Sequence, residues 1–223
     1  FCSVRLTHGR SMRTVPVETI SQEAVGLPTG KRICLNLEDD NILLKPGYAL
    51  DVLSILKAKV PEIEFKAENG IDYRDFTPEL LHLFIRCGFI QFNFTAGSMD
   101  NRTLQTENRE TDPDRLRWVL SESARYKIKT VTYAISGLSG DTPESSLQTI
   151  LFLSRLPTRI GISLFYPVPG IDGFTDKQLF RSVPSSLTAG SSAYPWNNTL
   201  STEQLITLFR IVRTLNFLKD PKE

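Results

Sequence analysis

Five short stretches of this 223-residue chain end in residues that can do chemistry. After Leu37 come Glu38, Asp39, Asp40 and Asn41; after Ala67 come Glu68, Asn69 and Gly70; after Ala96 come Gly97, Ser98 and Asp100. Ser136 is followed by Gly137, Gly140 and Asp141, and Phe165 by Tyr166, Pro167, Val168 and Gly170. Consecutive carboxylates repel one another unless a cation or an amine sits among them. Glycines permit a close approach of backbone to a ligand. A further candidate is Cys2, directly behind Phe1, which reads either as a surface thiol or as the last ligand of a metal motif. His8 and His82, the two histidines, have no partners at zinc-ligand spacing. No phosphate-binding Walker loop and no Gly-x-Ser-x-Gly nucleophile turn occurs.

The elements that carry these residues are legible as alternating or apolar runs: residues 32–40, 63–71, 89–98, 129–138 and 159–170. Each is short, rich in β-branched or aromatic residues, and runs into polar or glycine-bearing residues, which predicts five strands. Helical patterns lie between them. Thr77-Pro78, Asp112-Pro113 and Thr142-Pro143 each pair an N-cap residue with proline at the first helical position, and Gly88 suits a C-cap. Repeated strand-helix units imply a parallel sheet with helices outside it, either a (βα) barrel or an open α/β sheet. In a barrel the loops after the C-terminal strand ends carry function, and the polar groups above gather on that rim. Residues 171–200 read as a Ser- and Pro-rich loop. Ser201 with Gln204 then forms a capping box for a terminal helix whose apolar face is Leu205, Ile206, Phe209, Val212, Leu215 and Phe217.

Composition narrows the classes. Lys plus Arg (26) nearly balance Asp plus Glu (25), so neither a nucleic-acid stripe nor a membrane-binding basic surface is expected. No run is long enough to span a membrane, and three widely spaced cysteines suit a reducing cytoplasm rather than a disulfide framework. Three Asn-x-Thr triplets, at Asn93, Asn101 and Asn197, are taken as chance.

Phe1 to Arg13, LNLEDDNILL, FKAENGIDYRDFTPELLHLFIRCGF, NRTLQTENRE, YAISGLSGDTPESSLQTILFL and ISLFYPVPG, in that order, resemble successive segments of the radical S-adenosylmethionine (radical SAM) family. The likeness is to members whose barrel follows a cobalamin-binding domain, and it runs to about residue 217. It implies an α/β fold, a partial (βα) barrel of parallel strands over residues 1–170, with residues 171–223 as a loop and C-terminal helix packed on it. The family's cluster motif is Cys-x3-Cys-x2-Cys with an aromatic residue before the last cysteine. Phe1-Cys2 resembles that final pair, so by the resemblance the chain lacks the first two cysteines and the first barrel strand.

The resemblance also implies a [4Fe-4S] cluster, held by three thiolates with one iron open, and S-adenosylmethionine, with cobalamin bound by a domain upstream. This chain alone is expected to bind none of them and to be inactive. Glu38, Asp39 and Asp40 match the place where relatives bind the methionine amino group, and Asn69 a position facing substrate or cofactor. Ser98 stands near the ribose site, while Gly97 replaces a glutamate common in the family. Arg109 resembles the arginine that pairs with the methionine carboxylate, for which a planar guanidinium is suited. Gly137 and Gly140 match the glycine-rich turn, and Tyr166 and Val168 the backbone groups, that lie against adenine.

Each of these has a plain structural reading as well: a solvated acidic loop, an Asn-Gly turn, a surface arginine, a loop glycine. The residues are also compatible with two other functions. A catalytically silent barrel would serve as a binding or scaffold module, and an aldolase-type barrel would need Lys66 as a Schiff-base amine, which Glu64 and Glu68 oppose. The substrate class, small molecule or peptide, is left open. An unpaired edge on the first strand is expected to invite self-association.

Overall fold

The computed structural model describes residues 4–9, 11–28, 30–188, 190 and 192–219. Cys2 lies outside the described residues. Five strands, β1 (Ile33–Asn36), β2 (Ile63–Ile71), β3 (Phe89–Gly97), β4 (Lys129–Ser136) and β5 (Arg159–Leu164), lie in that order in one sheet. Among the described residues nine helices accompany them: α1 (Val4–Thr7), α2 (Val17–Glu23), α3 (Pro46–Lys59), α4 (Pro78–Cys87), α5 (Asn101–Thr106), α6 (Pro113–Arg125), α7 (Pro143–Ser154), α8 (Lys177–Ser182) and α9 (Thr202–Lys219). The strands are parallel and the fold class is a partial (βα) barrel with flanking helices. β2 spans the predicted residues, and every other strand starts at or within one residue of its expected position. β1 and β5 stop earlier than expected, at Asn36 and Leu164.

The chain forms two compact units. The first comprises residues 11–95 and 114–131. Here β2 alternates strictly, with Ile63, Phe65 and Ala67 buried and Glu64, Lys66 and Glu68 more open. The buried face joins Phe76 and Phe84, and Phe89, Phe92 and Phe94 of β3, in an aromatic core whose rings meet edge-on or stacked at 5.0–6.4 Å. α4 begins as its sequence predicts: the Thr77 hydroxyl accepts from the Leu80 N–H at 3.2 Å, and Pro78 occupies the first turn. It ends at Gly88, φ +104°, where a β-carbon would lie 3.1 Å from the Ile63 carbonyl. His82 binds Glu122 at 3.1 Å and packs on the Tyr126 ring, a structural role. α3 was not foreseen, because Lys45 before it makes no side-chain cap.

The second unit holds residues 96–113 and 132 onward together with α1. α7 opens on a capping box in which Ser145 takes the place usual for Glu or Gln. α9 opens on the expected box: the Ser201 N–H donates to Gln204 at 2.8 Å and the Gln204 N–H to the Ser201 hydroxyl at 3.3 Å. Its buried seam is Leu205, Leu208 and Val212, whereas Ile206, Phe209 and Phe217, expected inside, are exposed. The difference arises because β5 and α7 meet one narrow stripe of the helix. Asn216 of α9 fixes β5 by accepting from the Ile160 N–H at 2.9 Å and donating to its carbonyl at 2.7 Å. Lys219 donates to the carbonyls of Leu153, Leu156 and Thr158 at 2.8–3.0 Å, capping the C-terminal end of α7 with positive charge.

On β5, Gly161 lies directly beneath the Tyr133 ring, where a β-carbon would sit 2.3 Å from ring carbon. Residues 171–200, expected as loop, contain α8 and a 3-10 turn at Ser185–Leu187. They are anchored by Ile171, Phe174, Val183 and Trp196, which pack with Leu138 and Phe165. No helix among the described residues is long and apolar enough to cross a membrane.

Candidate functional site

In the first unit the polar groups gather where β1 and β2 end. The parallel register sets Asn36 beside Lys66 and Lys66 beside Gln91. β1 stops at Asn36, and its side chain continues the ladder: Oδ1 accepts from the Glu68 N–H at 3.0 Å, while Nδ2 donates to the Glu38 carboxylate. The β2–β3 register then slips, from Ala67 beside Phe92 to Ile71 beside Phe94, so Glu68, Asn69 and Gly70 bulge opposite the single residue Asn93. The Asn93 amide, 4% exposed, donates to the Glu68 carbonyl at 2.9 Å and accepts from Gln91 at 3.1 Å. Bulges of this kind re-aim side chains and recur beside active sites. The Asn-Gly pair that reads as a strand-ending turn is therefore inside β2, with Gly70 at φ +119° supplying the bend.

Asn69 donates its amide to the carbonyls of Glu38 and Asp39 at 3.0 and 3.2 Å, so it shapes the acidic loop. Glu38, Asp39 and Asp40 are exposed, and among the described residues the Asp39 and Asp40 carboxylates have no protein partner. Asn41 caps the following turn and binds Asp75 at 3.0 Å. Lys66 pairs with Glu68 at 3.3 Å, so its amine is engaged by a carboxylate rather than standing alone as a Schiff-base amine would. Among the predicted residues of this unit, the structure joins Glu38, Asp39 and Asn69 by hydrogen bonds. Sequence reasoning had not singled out Asn36 and Asn93, because their partners lie 32 and 25 residues away.

In the second unit β3 ends at Gly97, φ +70°, a left-handed conformation that favours glycine. This gives a backbone reason for glycine at this position. Ser98 is 2% exposed, and its hydroxyl accepts from the Asp100 N–H at 3.1 Å. Asp100 caps α5 through the Thr103 N–H at 2.8 Å, which holds its carboxyl below the usual aspartate range. Arg109 follows α5 half-buried, its N–H bonded to the Leu104 carbonyl at 2.8 Å.

The turn after β4 is held by a dense set of side-chain hydrogen bonds. The Asp141 carboxylate, 3% exposed, accepts from the Gly137 N–H at 2.9 Å, the Thr142 N–H at 3.0 Å, the Ser146 hydroxyl at 2.7 Å and the Ser145 hydroxyl. The Gly137 carbonyl accepts from Asn197 at 2.9 Å, and the Ser139 N–H donates to Glu107 at 2.8 Å. Gly137, at φ +89°, thus has both peptide groups engaged by side chains, and what it offers a ligand is shape. Gly140, φ +77°, is exposed.

Beyond β5, Tyr166 is 46% exposed and its ring lies against Gly190. Val168 is packed on the aromatic cluster, with its carbonyl accepting from the Ile171 N–H at 3.2 Å. Trp196 is buried in that cluster with its indole N–H unpartnered, beside a shallow cleft shared with Gly137, Phe165, Asn197 and Leu205.

Cys34 is exposed on β1 and Cys87 half-buried at the end of α4, its thiol pushed up by burial. No group of three or more His, Cys, Asp or Glu side chains that could hold a metal occurs among the described residues.

No protein-family model and no curated protein sequence matches the chain. Solved structures do. Coproporphyrinogen III oxidase (HemN) from Escherichia coli, a radical SAM enzyme, superposes with a TM-score of 0.63 at 16% identity, over 92% of this chain and 44% of that one. The fold is that of the radical SAM barrel. Methylornithine synthase (PylB) matches with a TM-score of 0.59 at 14% identity, over 97% of this chain and 58% of its own. The radical SAM methyltransferase TsrM from Kitasatospora setae, solved with cobalamin and a [4Fe-4S] cluster, matches with a TM-score of 0.53 at 15% identity, over 66% and 30%. The chain thus spans less than two thirds of each of these radical SAM fold structures.

Proposed function

We propose that this chain, contrary to the expectation that it binds no cofactor alone, is the S-adenosylmethionine-binding part of a radical SAM enzyme that starts radical chemistry on an organic substrate. The observation that carries the reading is the fold match to HemN together with two built polar regions at C-terminal strand ends, where barrel enzymes place their sites. Toward S-adenosylmethionine, the second unit offers the planar guanidinium of Arg109 as a match to its carboxylate. The β4 turn and the Tyr166–Val168 segment offer shaped backbone to adenine. When bound, the cofactor would supply a sulfonium that a one-electron donor such as a reduced [4Fe-4S] cluster would cleave to methionine and a 5′-deoxyadenosyl radical. Ser98, buried, still has a proton to donate.

The cluster fits less well. Three thiolates are needed, and Cys34 and Cys87 are not grouped with other ligands among the described residues. Cobalamin, present in the TsrM structure, is assigned no residue of this chain.

A second reading, a barrel that binds without catalysis, is favoured by Gly97, whose left-handed backbone disfavours the family's glutamate. Iron and sulfide content after anaerobic reconstitution, measured on this chain beside the complete polypeptide and followed by an assay for 5′-deoxyadenosine, separates the two. About four irons and 5′-deoxyadenosine from the complete polypeptide are expected. S-adenosylmethionine binding without cleavage would favour the silent barrel, and absence of both cluster and binding would overturn the enzyme reading.

A further inference from the structure

The loop beyond the last strand reaches back to the β4 turn at two points. Asn197 donates its amide to the Gly137 carbonyl at 2.9 Å, and the Thr199 hydroxyl donates to the Leu138 carbonyl at 3.3 Å. These residues are 60 and 61 positions from their acceptors, so the bonds are tertiary and not part of a local turn. The Asp141 carboxylate holds the other side of the same peptide, taking the Gly137 N–H at 2.9 Å. The turn itself is closed by the Asp141 N–H to the Leu138 carbonyl at 3.0 Å, and Glu107 takes the Ser139 N–H. Gly140, at φ +77°, is exposed, and a β-carbon there would lie 3.4 Å from the Thr106 hydroxyl.

The loop is itself well anchored: Trp196, adjacent to Asn197, is 8% exposed and meets the rings of Phe174, Phe180 and Tyr194 at 4.8–6.3 Å. An amide fixed by such a neighbour costs little to order when it makes its bond.

We infer that Asn197 is a positioning residue: through the Gly137 carbonyl it sets the conformation in which the 137–141 turn receives the nucleoside of S-adenosylmethionine, with Thr199 as a weaker second brace. This rests on the S-adenosylmethionine reading above. Asn197 touches no ligand itself. It makes nucleoside affinity depend on a segment outside the five strand-helix units.

The test uses two probes on the 223-residue chain, S-adenosylhomocysteine and 5′-methylthioadenosine, the second lacking the amino-acid group. Calorimetric titration gives a Kd for each, and thermal unfolding is recorded in parallel. Asn197→Asp removes the donor and sets an acceptor against the Gly137 carbonyl, and is expected to weaken both probes by a common factor of about ten. The loss should shrink as pH falls and the new carboxyl protonates, because the acid form again donates to that carbonyl. Asn198→Asp, an exposed neighbour at φ +53° with the same change of charge, should leave both constants unaltered.

Undiminished binding by Asn197→Asp, or equal loss in Asn198→Asp, would overturn the positioning role while leaving the functional reading intact. No binding of either probe by the unsubstituted chain would overturn that reading and this inference with it. Should Asn197→Asp fail to fold, Thr199→Val decides: about a twofold to threefold weakening is expected, and none would count against the brace.

Discussion

The end of β2 and the turn after β4 solve one problem in opposite ways. Each immobilises a residue by capturing both of its peptide groups with side chains: Glu68 between Asn36 and Asn93, and Gly137 between Asp141 and Asn197. At Glu68 the braces are neutral amides, and the acids around them, Glu68, Asp39 and Asp40, stay exposed. At Gly137 the brace is itself the acid, and Asp141 is consumed by four donors. A carboxylate in a rim motif is available for a ligand only when something else holds the backbone. By that criterion the first region leaves its charge open to solvent and the second spends its charge on shape.

The largest effect that would break this contrast comes from Asp141→Ala. Two peptide N–H groups and two hydroxyls lose their acceptor in a buried site, and a loss of about 4 kcal/mol is expected, read as a lower midpoint in urea unfolding. A loss under about 1 kcal/mol would show that Asp141 is not the keystone of its turn. Asn93→Ala, which frees the Glu68 carbonyl and the Gln91 amide, should cost about 2 kcal/mol by the same measurement.

Next in size is an effect of pH. Asp100 has its carboxyl pulled below the ordinary range chiefly by the Thr103 N–H, so the stability it adds is present above about pH 4 and is lost as pH falls through the lowered value. Asp100→Asn should therefore flatten the acid limb of the stability profile below about pH 4 and leave neutral stability little changed. The smallest effect belongs to Glu68→Gln. Its side chain is 40% exposed and among the described residues pairs only with Lys66, so stability should move by less than about 0.5 kcal/mol. A larger change would mean that the exposed acids of the first region are structural after all.

Strand placement was legible because each run alternates or is densely apolar over its whole length, and the caps at Thr77, Thr142 and Ser201 were legible because they act within three residues. The braces were not. Asn36, Asn93, Asn197 and Asn216 each act across 25 to 60 residues, and a lone asparagine in a strand or loop carries no local mark of its partner. The β2 bulge was hidden for a related reason, since Asn69-Gly70 has the composition of a turn whether or not the strand resumes after it. The face of α9 was read too wide: its period is helical over Ile206, Phe209 and Phe217, but only Leu205, Leu208 and Val212 find a surface to cover. The predicted site residues fall where strands end, and which of them remain open to a ligand follows only from the tertiary hydrogen bonds.

One close approach in the second unit bears on how this sequence can change over time. The Tyr133 ring fills the space that a side chain at position 161 would occupy, with ring carbons 2.3–2.8 Å from where a β-carbon would sit. Any replacement of Gly161 therefore requires the ring to leave first, and loss of the ring leaves a gap above a residue with nothing to fill it. The two positions are bound to a single inherited choice, and among descendants of this chain a side chain at 161 should be found only where the aromatic at 133 has already been given up.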